Sequence, residues 1–149
     1  MNKKRHSVKL HLYELEQHSF HIAVKGRWKN RTIHLIVDTG ASRTCFDHDF
    51  FTQHDSDASI VENEADNVSI TSSSFETNIT TLTDLKIGKA LIPEMQLVLL
   101  DMSHVNQAYK SLKLPSMQGI LGSDFFVQHQ ATINFKTFKL NFGYDYFRC

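Results

Sequence analysis

Cysteine is scarce in this chain of 149 residues: Cys45 and Cys149 are the only two, at no metal-binding or redox spacing. A disulfide framework is therefore not expected, and both read as free thiols of a reducing compartment. Long apolar runs are missing, none approaching the roughly 18 residues of a membrane span. The basic opening "MNKKRHSVKLHLYELEQ" lacks the apolar core of a secretion signal, because Lys9, Glu14 and Glu16 interrupt it. These absences give a cytoplasmic protein without a membrane partner as the expectation. Net charge is also missing, with 16 Lys and Arg against 16 Asp and Glu. No clustered basic stripe is left to neutralise phosphates, so nucleic acid is not an expected partner. Lys and Arg are absent between residues 44 and 85, which carry only acidic charge; this segment reads as a solvated face or as a surface that attracts a basic segment. Glycine is absent between Gly40 and Gly88. The nine histidines are scattered, those near Asp47, Asp49 and Asp55 included, and match no zinc spacing, so neither metal nor cofactor is expected.

What is present reads as one domain over residues 1–149, mostly β. "SVKLHLYELE" alternates, and "FHIAVKG" and "TIHLIVD" flank a polar "RWKNR" that makes a hairpin connection. Phe46 and Phe50 predict a short helical turn. "NVSITSSSFETNITTL" reads as a second hairpin, and "TTLTDLKIG" with "LIPEMQLVLLD" as a third, turning near Gly88-Lys89. The one clear helix is "SHVNQAYKSLKLPS", with Ser103 as its cap and Val105, Ala108, Tyr109 and Leu112 at helical spacing before Pro115. "GILGSDFFVQHQ" predicts a short strand ending at Gly122 and a helix capped by Ser123 or Asp124; two final strands meet at Lys136-Thr137. Phe125, Phe126, Phe135 and Phe138 are expected in the core. The hairpin and apolar run ending in Asp38 are echoed by "TLTDLKIGKALIPEMQLVLLDMS", which ends in Asp101, an internal two-fold pattern in which only the first copy continues into Thr-Gly.

The residues that carry chemistry sit in "TIHLIVDTGAS", where Leu35-Ile36-Val37 runs straight into Asp38-Thr39-Gly40. A carboxylate closing a buried run costs desolvation unless hydrogen bonds or a partner compensate. The plain alternative is a turn, with Asp38 starting it and Gly40 supplying φ > 0. Asp101 reads as a residue approaching a helix, and Cys45 as buried packing rather than a reactive thiol.

Asp38-Thr39-Gly40-Ala41-Ser42 together with "GILGSDFF" some eighty residues on resembles the single-domain aspartic proteases of the retroviral (retropepsin-like) type. The resemblance spans roughly Phe20 to Phe142. It implies a single-lobe β-barrel or sandwich with a flap hairpin, and a peptidase that needs two carboxylates sharing a proton. With one motif per chain, the second carboxylate would come from another copy, making the active form a homodimer acting on an extended peptide or protein substrate. The resemblance assigns Asp38 as the catalytic carboxylate, Thr39 as the lock across the two-fold axis and Gly40 as the site of close backbone approach. Ala41 and Ser42 would line the groove floor. Ile70, Thr71, Ser72, Ser73 and Ser74, with Phe75, fall where the family has its flap, and Ile120, Leu121 and Gly122 would support the catalytic loop from beneath. Viral members often pair an Asp after the motif with an Arg after the second Gly. Ser42 and Ser123 stand there instead, so a hydroxyl contact or Arg43 is expected to tether the loop. A dimeric protease-like module that grips peptides without cutting them is the second reading, and a purely structural dimer the third.

Overall fold

A computed structural model describes residues 3–55, 60–63 and 77–145. The first alternating stretch divides in two at Leu10, which is buried and donates its N–H to the carbonyl of Phe138. β1 (Lys3–Lys9) pairs with the last described strand, whereas β2 (His11–Glu16) turns back onto β3 (Ser19–Trp28). β3 continues into β4 (Arg31–Val37) through Lys29 and Asn30, both in the left-handed region, the backbone of a tight hairpin whose twist matches its strands. β5 (Cys45–Asp47) leads into α1 (His48–His54); of the pair that predicted a helical turn, Phe50 is in this helix, but Phe46 lies on β5 ahead of it, and Asp47 caps the helix by accepting the N–H of Phe50.

Of the second expected hairpin, β7 (Thr77–Leu82) is described, and it pairs with β6 (Ile60–Asn63). β6 lies in the acidic segment, where the sequence predicts no strand, because four residues are too few for alternation to show. Ile70 to Phe75, where the flap is expected, lie outside the described residues. The third hairpin turns at Gly88-Lys89 as expected, between β8 (Lys86–Ile87) and β9 (Ala90–Leu91), and β10 (Met95–Leu100) returns alongside β7.

The clear helix is α2 (Ser103–Ser111). Its cap differs from expectation: Ser103 is the first helical residue, and the carboxylate of Asp101 accepts its N–H at 2.9 Å. Its buried stripe is also narrower than the spacing implied. Tyr109 is buried and Val105 half-buried, but Ala108 is exposed and Leu112 stands past the helix end at 44% exposure. β11 (Gly119–Leu121) and α3 (Ser123–Gln128) follow as expected, but the cap does not: Gly122 is the N-cap, and Ser123 and Asp124 are the first two helical residues; β12 (Thr132–Asn134) and β13 (Lys139–Asp145) close the described chain.

The strands form a three-stranded sheet, β1-β13-β12, and a curled half-barrel of ten strands in the order β6-β7-β10-β5-β11-β4-β3-β8-β9, with β2 on β3. The internal echo read in the sequence has a counterpart here. β4 pairs in parallel with β11, β10 pairs in parallel with β5, and β5 and β11 run antiparallel between them.

β4 reads as a continuous apolar run because it is buried on both faces. Ile33, Leu35 and Val37 point into the main core with Trp28, Phe46, Phe51 and Phe125. Ile36 points the other way, into a second cluster with Ala23, Met102, Tyr109 and Met117 under α2. Trp28 anchors the main core, stacked on Phe51 at 5.2 Å with its indole N–H on the carbonyl of Thr83; burying such a side chain contributes about 1.5–3 kcal/mol. Phe125 is fully buried and Phe126 partly, but Phe135 and Phe138 are 61% and 37% exposed, contrary to the core expectation. Both belong to the turn between β12 and β13, where Phe138 has a positive φ and the side chains project outward.

Candidate active site

Alternation along β4 places Asp38 on the face of Ile36, away from the main core. The register Ile36↔Ile120 puts Ile120 on that face too, while Leu121, opposite Val37, joins the core. Asp38 donates its backbone N–H to the carbonyl of Leu121 at 3.0 Å, so the strand pairing carries the chain up to the loop. There the chain turns: Ala41 N–H reaches the carbonyl of Asp38 at 3.2 Å, and Gly40 N–H donates to Asp38 Oδ1 at 2.9 Å. The turn does not use a left-handed glycine, because Gly88 is the glycine with positive φ among the described residues. What Gly40 provides is room: a Cβ there would stand 3.2 Å from Asp38 Oδ1. Asp38, Thr39 and Gly40 are all exposed.

The loop is held from below by groups that the sequence reading did not single out. Thr44 is fully buried. Its hydroxyl donates to Asp124 Oδ1 at 2.8 Å and accepts the N–H of Gly122 at 3.1 Å, while its own N–H reaches the same carboxylate oxygen at 2.9 Å. Gly122 passes so close to the loop that a Cβ would meet the carbonyl carbon of Arg43 at 2.7 Å and the carbonyl oxygen of Ala41 at 2.8 Å. The expected replacement for the viral Asp-Arg tether takes both anticipated forms. Ser123 donates its N–H to the carbonyl of Ala41 at 2.8 Å and its hydroxyl to that of Ser42 at 3.4 Å, and the Arg43 guanidinium stands 4.0 Å from the Asp124 carboxylate. Asp124 was read only as a helix cap; its position two residues past Gly122 was the signal available. Cys45 is buried, donates its thiol to the carbonyl of Arg43, and is held protonated, its pKa pushed up to about 11 by burial first and then by the negative charge of Asp124.

A cleft of about 600 Å³ opens beside the loop, lined by Asp38, Thr39, Ile36 and Ile120 and walled by Phe20, His21, Val105, Ile133 and Phe135. Asp38, Thr39 and Ile120 thus meet in one cavity. Gly40, Ala41 and Ser42 form the turn beside it, and Leu121 and Gly122 lie beneath. Phe20, His21, Val105, Ile133 and Phe135 were not read as site residues. They come from three separate parts of the chain, β3, α2 and the end of β12, and only the fold brings them together. Asp101 is fully exposed, and its carboxylate is held below the usual range by the side chain and N–H of Ser103. No three His, Cys, Asp or Glu side chains among the described residues stand together as a metal site. No helix among them is long and apolar enough to cross a membrane.

Comparison with known proteins gives the family and the fold. The aspartyl protease family model matches residues 24–125, a stretch that includes Asp38, Thr39 and Gly40 as well as Ile120, Leu121 and Gly122. A retropepsin-like aspartic protease from Rickettsia conorii superposes with a TM-score of 0.53 at 14% identity, covering 96% of this chain and 92% of its own. The retroviral protease-like domain of Ddi1 from Leishmania major gives a TM-score of 0.50 at 15% identity, covering 76% of this chain and 81% of its own. No curated protein sequence matches. The family match covers more than half of the chain, and the protein therefore belongs to the aspartyl protease family, on a retropepsin-like fold.

Proposed function

We propose that the protein is an aspartic endopeptidase whose site is completed by a second copy of the same chain. The observation that carries this reading is the placement of Asp38: an exposed carboxylate at the end of a buried strand, fixed by the Leu121 carbonyl and the Gly40 N–H, on the floor of an apolar cleft. A single carboxylate can take a proton from water, but a second must protonate the carbonyl oxygen as attack proceeds. Asp101 does not offer itself, since its carboxylate already binds its own helix start. Two Asp38 side chains across a two-fold axis, sharing one proton, supply both functions.

In the step this implies, water oxygen adds to the peptide carbonyl carbon while its proton passes to the ionised Asp38. The protonated Asp38 gives its proton to the carbonyl oxygen. Collapse of the tetrahedral species then breaks the C–N bond as the amine nitrogen takes a proton from one Asp38 and a gem-diol hydroxyl returns its proton to the other, which leaves the carboxylic acid, the amine and the dyad with its one shared proton. Thr39 would join the loops across the axis, and Gly40 would leave the approach to Asp38 open. The half-exposed Phe20 and Phe135 at the cleft rim are apolar surface of the kind that a partner or substrate covers.

Asp38→Asn tests the reading, because it removes the ionisable group while keeping the shape. Cleavage of an unstructured protein should vanish with unfolding behaviour unchanged; a variant that cuts as fast as the parent would overturn the proposal. The second reading, a dimeric module that binds peptides without cutting them, is favoured by the absence of glycine between Gly40 and Gly88, where a flap would turn. Peptide binding without cleavage by the parent would establish it.

A further inference from the structure

Apart from Asp38 and Thr39, the cleft is apolar except at one wall, and that wall is built from a row across the sheet. β2 and β3 pair with Tyr13 opposite His21. β3 and β4 pair with Ala23 opposite Ile36, and the same register carried two residues further sets His21 level with Asp38. Alternation puts His21 on the face of Ala23, Ile36 and Asp38, and it lines the cleft with Ile36 and Asp38. The imidazole is held from behind by α2, where the hydroxyl of Tyr109 meets its Nδ1. α2 is itself fixed: Asn106 binds both the N–H and the carbonyl of Met117, at 2.6 and 2.9 Å.

The direction of the Tyr109 bond follows from burial. Tyr109 is 2% exposed, and His21 is the hydrogen-bond partner of its hydroxyl among the described residues. Burial, with a smaller contribution from Tyr13, keeps the phenol protonated. A buried hydroxyl that would otherwise lack an acceptor donates to the available nitrogen, so Nδ1 accepts and the imidazole proton sits on Nε2. Nε2–H is then the donor that His21, an exposed residue of the cleft lining, has left to offer beside the apolar Ile36 and Ile120, the arrangement by which pockets read one polar group on a largely apolar ligand.

Resting on the protease reading of the cleft, we propose that His21, oriented by Tyr109, is a specificity-determining residue that selects a substrate tyrosine over phenylalanine next to the bond held at Asp38. The apolar floor of Ile36, Ile120 and Val105 accepts either ring. Only the tyrosine hydroxyl gives Nε2–H an acceptor. Bound phenylalanine offers no acceptor there, and a single such hydrogen bond corresponds to about a five- to tenfold preference.

The test uses degenerate octapeptide pools with Tyr, Phe or Leu fixed at the centre, with binding measured to full-length Asp38→Asn protein so that cleavage is not needed for a signal. The Tyr pool should bind about five- to tenfold tighter than the Phe pool. His21→Leu in the same background should bring the ratio close to one, and His21→Gln, which keeps an N–H donor, should restore part of it. Tyr109→Phe, which frees the imidazole without touching the ligand, should lower the ratio without abolishing it. Equal binding of Tyr and Phe pools, a ratio unchanged in His21→Leu, or failure of every pool to bind would overturn the proposal. Sedimentation of each variant separates a specificity role from an assembly role: loss of association with an unchanged Tyr-to-Phe ratio also overturns it. Tyrosine-selective binding by Asp38→Asn together with no cleavage by the parent would support His21 and refute the protease reading alone.

Discussion

Thr44→Val is the most exacting perturbation of the loop support, because valine matches threonine in shape and removes only the hydroxyl. Two bonds disappear. The Asp124 carboxylate loses the 2.8 Å donation, and the buried N–H of Gly122 loses its acceptor at 3.1 Å. A hydrogen bond to a charged group contributes about 1.5–3 kcal/mol, and a buried donor left unmatched costs about 1–3 kcal/mol. Asp124 is partly exposed and keeps the Thr44 N–H, so water and that donor offset part of the first loss. We therefore expect about 3 kcal/mol in total, or roughly 10 °C in Tm for a chain of this length. Urea and thermal unfolding measure the stability, and peptidase activity at a temperature where the variant is fully folded should still be reduced, because the turn of residues 38–43 rests on this contact. Thr44→Ser keeps the hydroxyl and loses one methyl, at about 1 kcal/mol. Valine within about 0.5 kcal/mol of the parent, with serine the worse of the two, would refute the reasoning.

Three further outcomes follow from other contacts. Gly122→Ala places a Cβ 2.7 to 2.8 Å from backbone atoms of Arg43 and Ala41 that cannot rotate away; a loss of about 3 kcal/mol in urea unfolding is expected, and parent-like stability would mean the approach is looser than described. His34 has its pKa lowered by burial first and then by Lys25, so on acidification the unfolded chain takes up its proton before the folded one. Stability should therefore be fully present above the unfolded pKa and decline as pH falls through about 6.5, and His34→Gln should flatten that decline; an unchanged pH profile would remove His34 from the account. Cys45, buried and protonated at neutral pH, should resist alkylation in a folded Cys149→Ser protein and react fully in urea. Rapid labelling of the folded form would contradict its placement.

The strands and the motif were legible because their signals are local. "LIVDTG" carries its own boundary, and "GILG" repeats the pattern of an apolar strand closing on glycine. The exposed Phe135 and Phe138 were misread as core because hydrophobicity says nothing about which side of a turn a residue occupies. Leu112 was misread for a related reason, since the helical period continues past the point where the helix stops. Thr44, Asp124, His21 and Tyr109 were missed because their roles lie in pairing. A threonine just before a strand and an aspartate at a helix start are ordinary until the fold sets them 2.8 Å apart. His21 likewise acquires meaning only from β2, β4 and α2 meeting around it.

The central claim is that one Asp38 per chain makes half a site. Parent protein should be mixed with a threefold excess of Asp38→Asn protein, the subunits allowed to exchange, and cleavage of an unstructured substrate compared with that of the same amount of parent alone. If the site is shared, random pairing leaves only about a quarter of the activity, because most parent chains then sit in pairs holding a single Asp38. Activity equal to that of the parent alone, with exchange verified, would mean that each chain carries a complete site and would contradict the account.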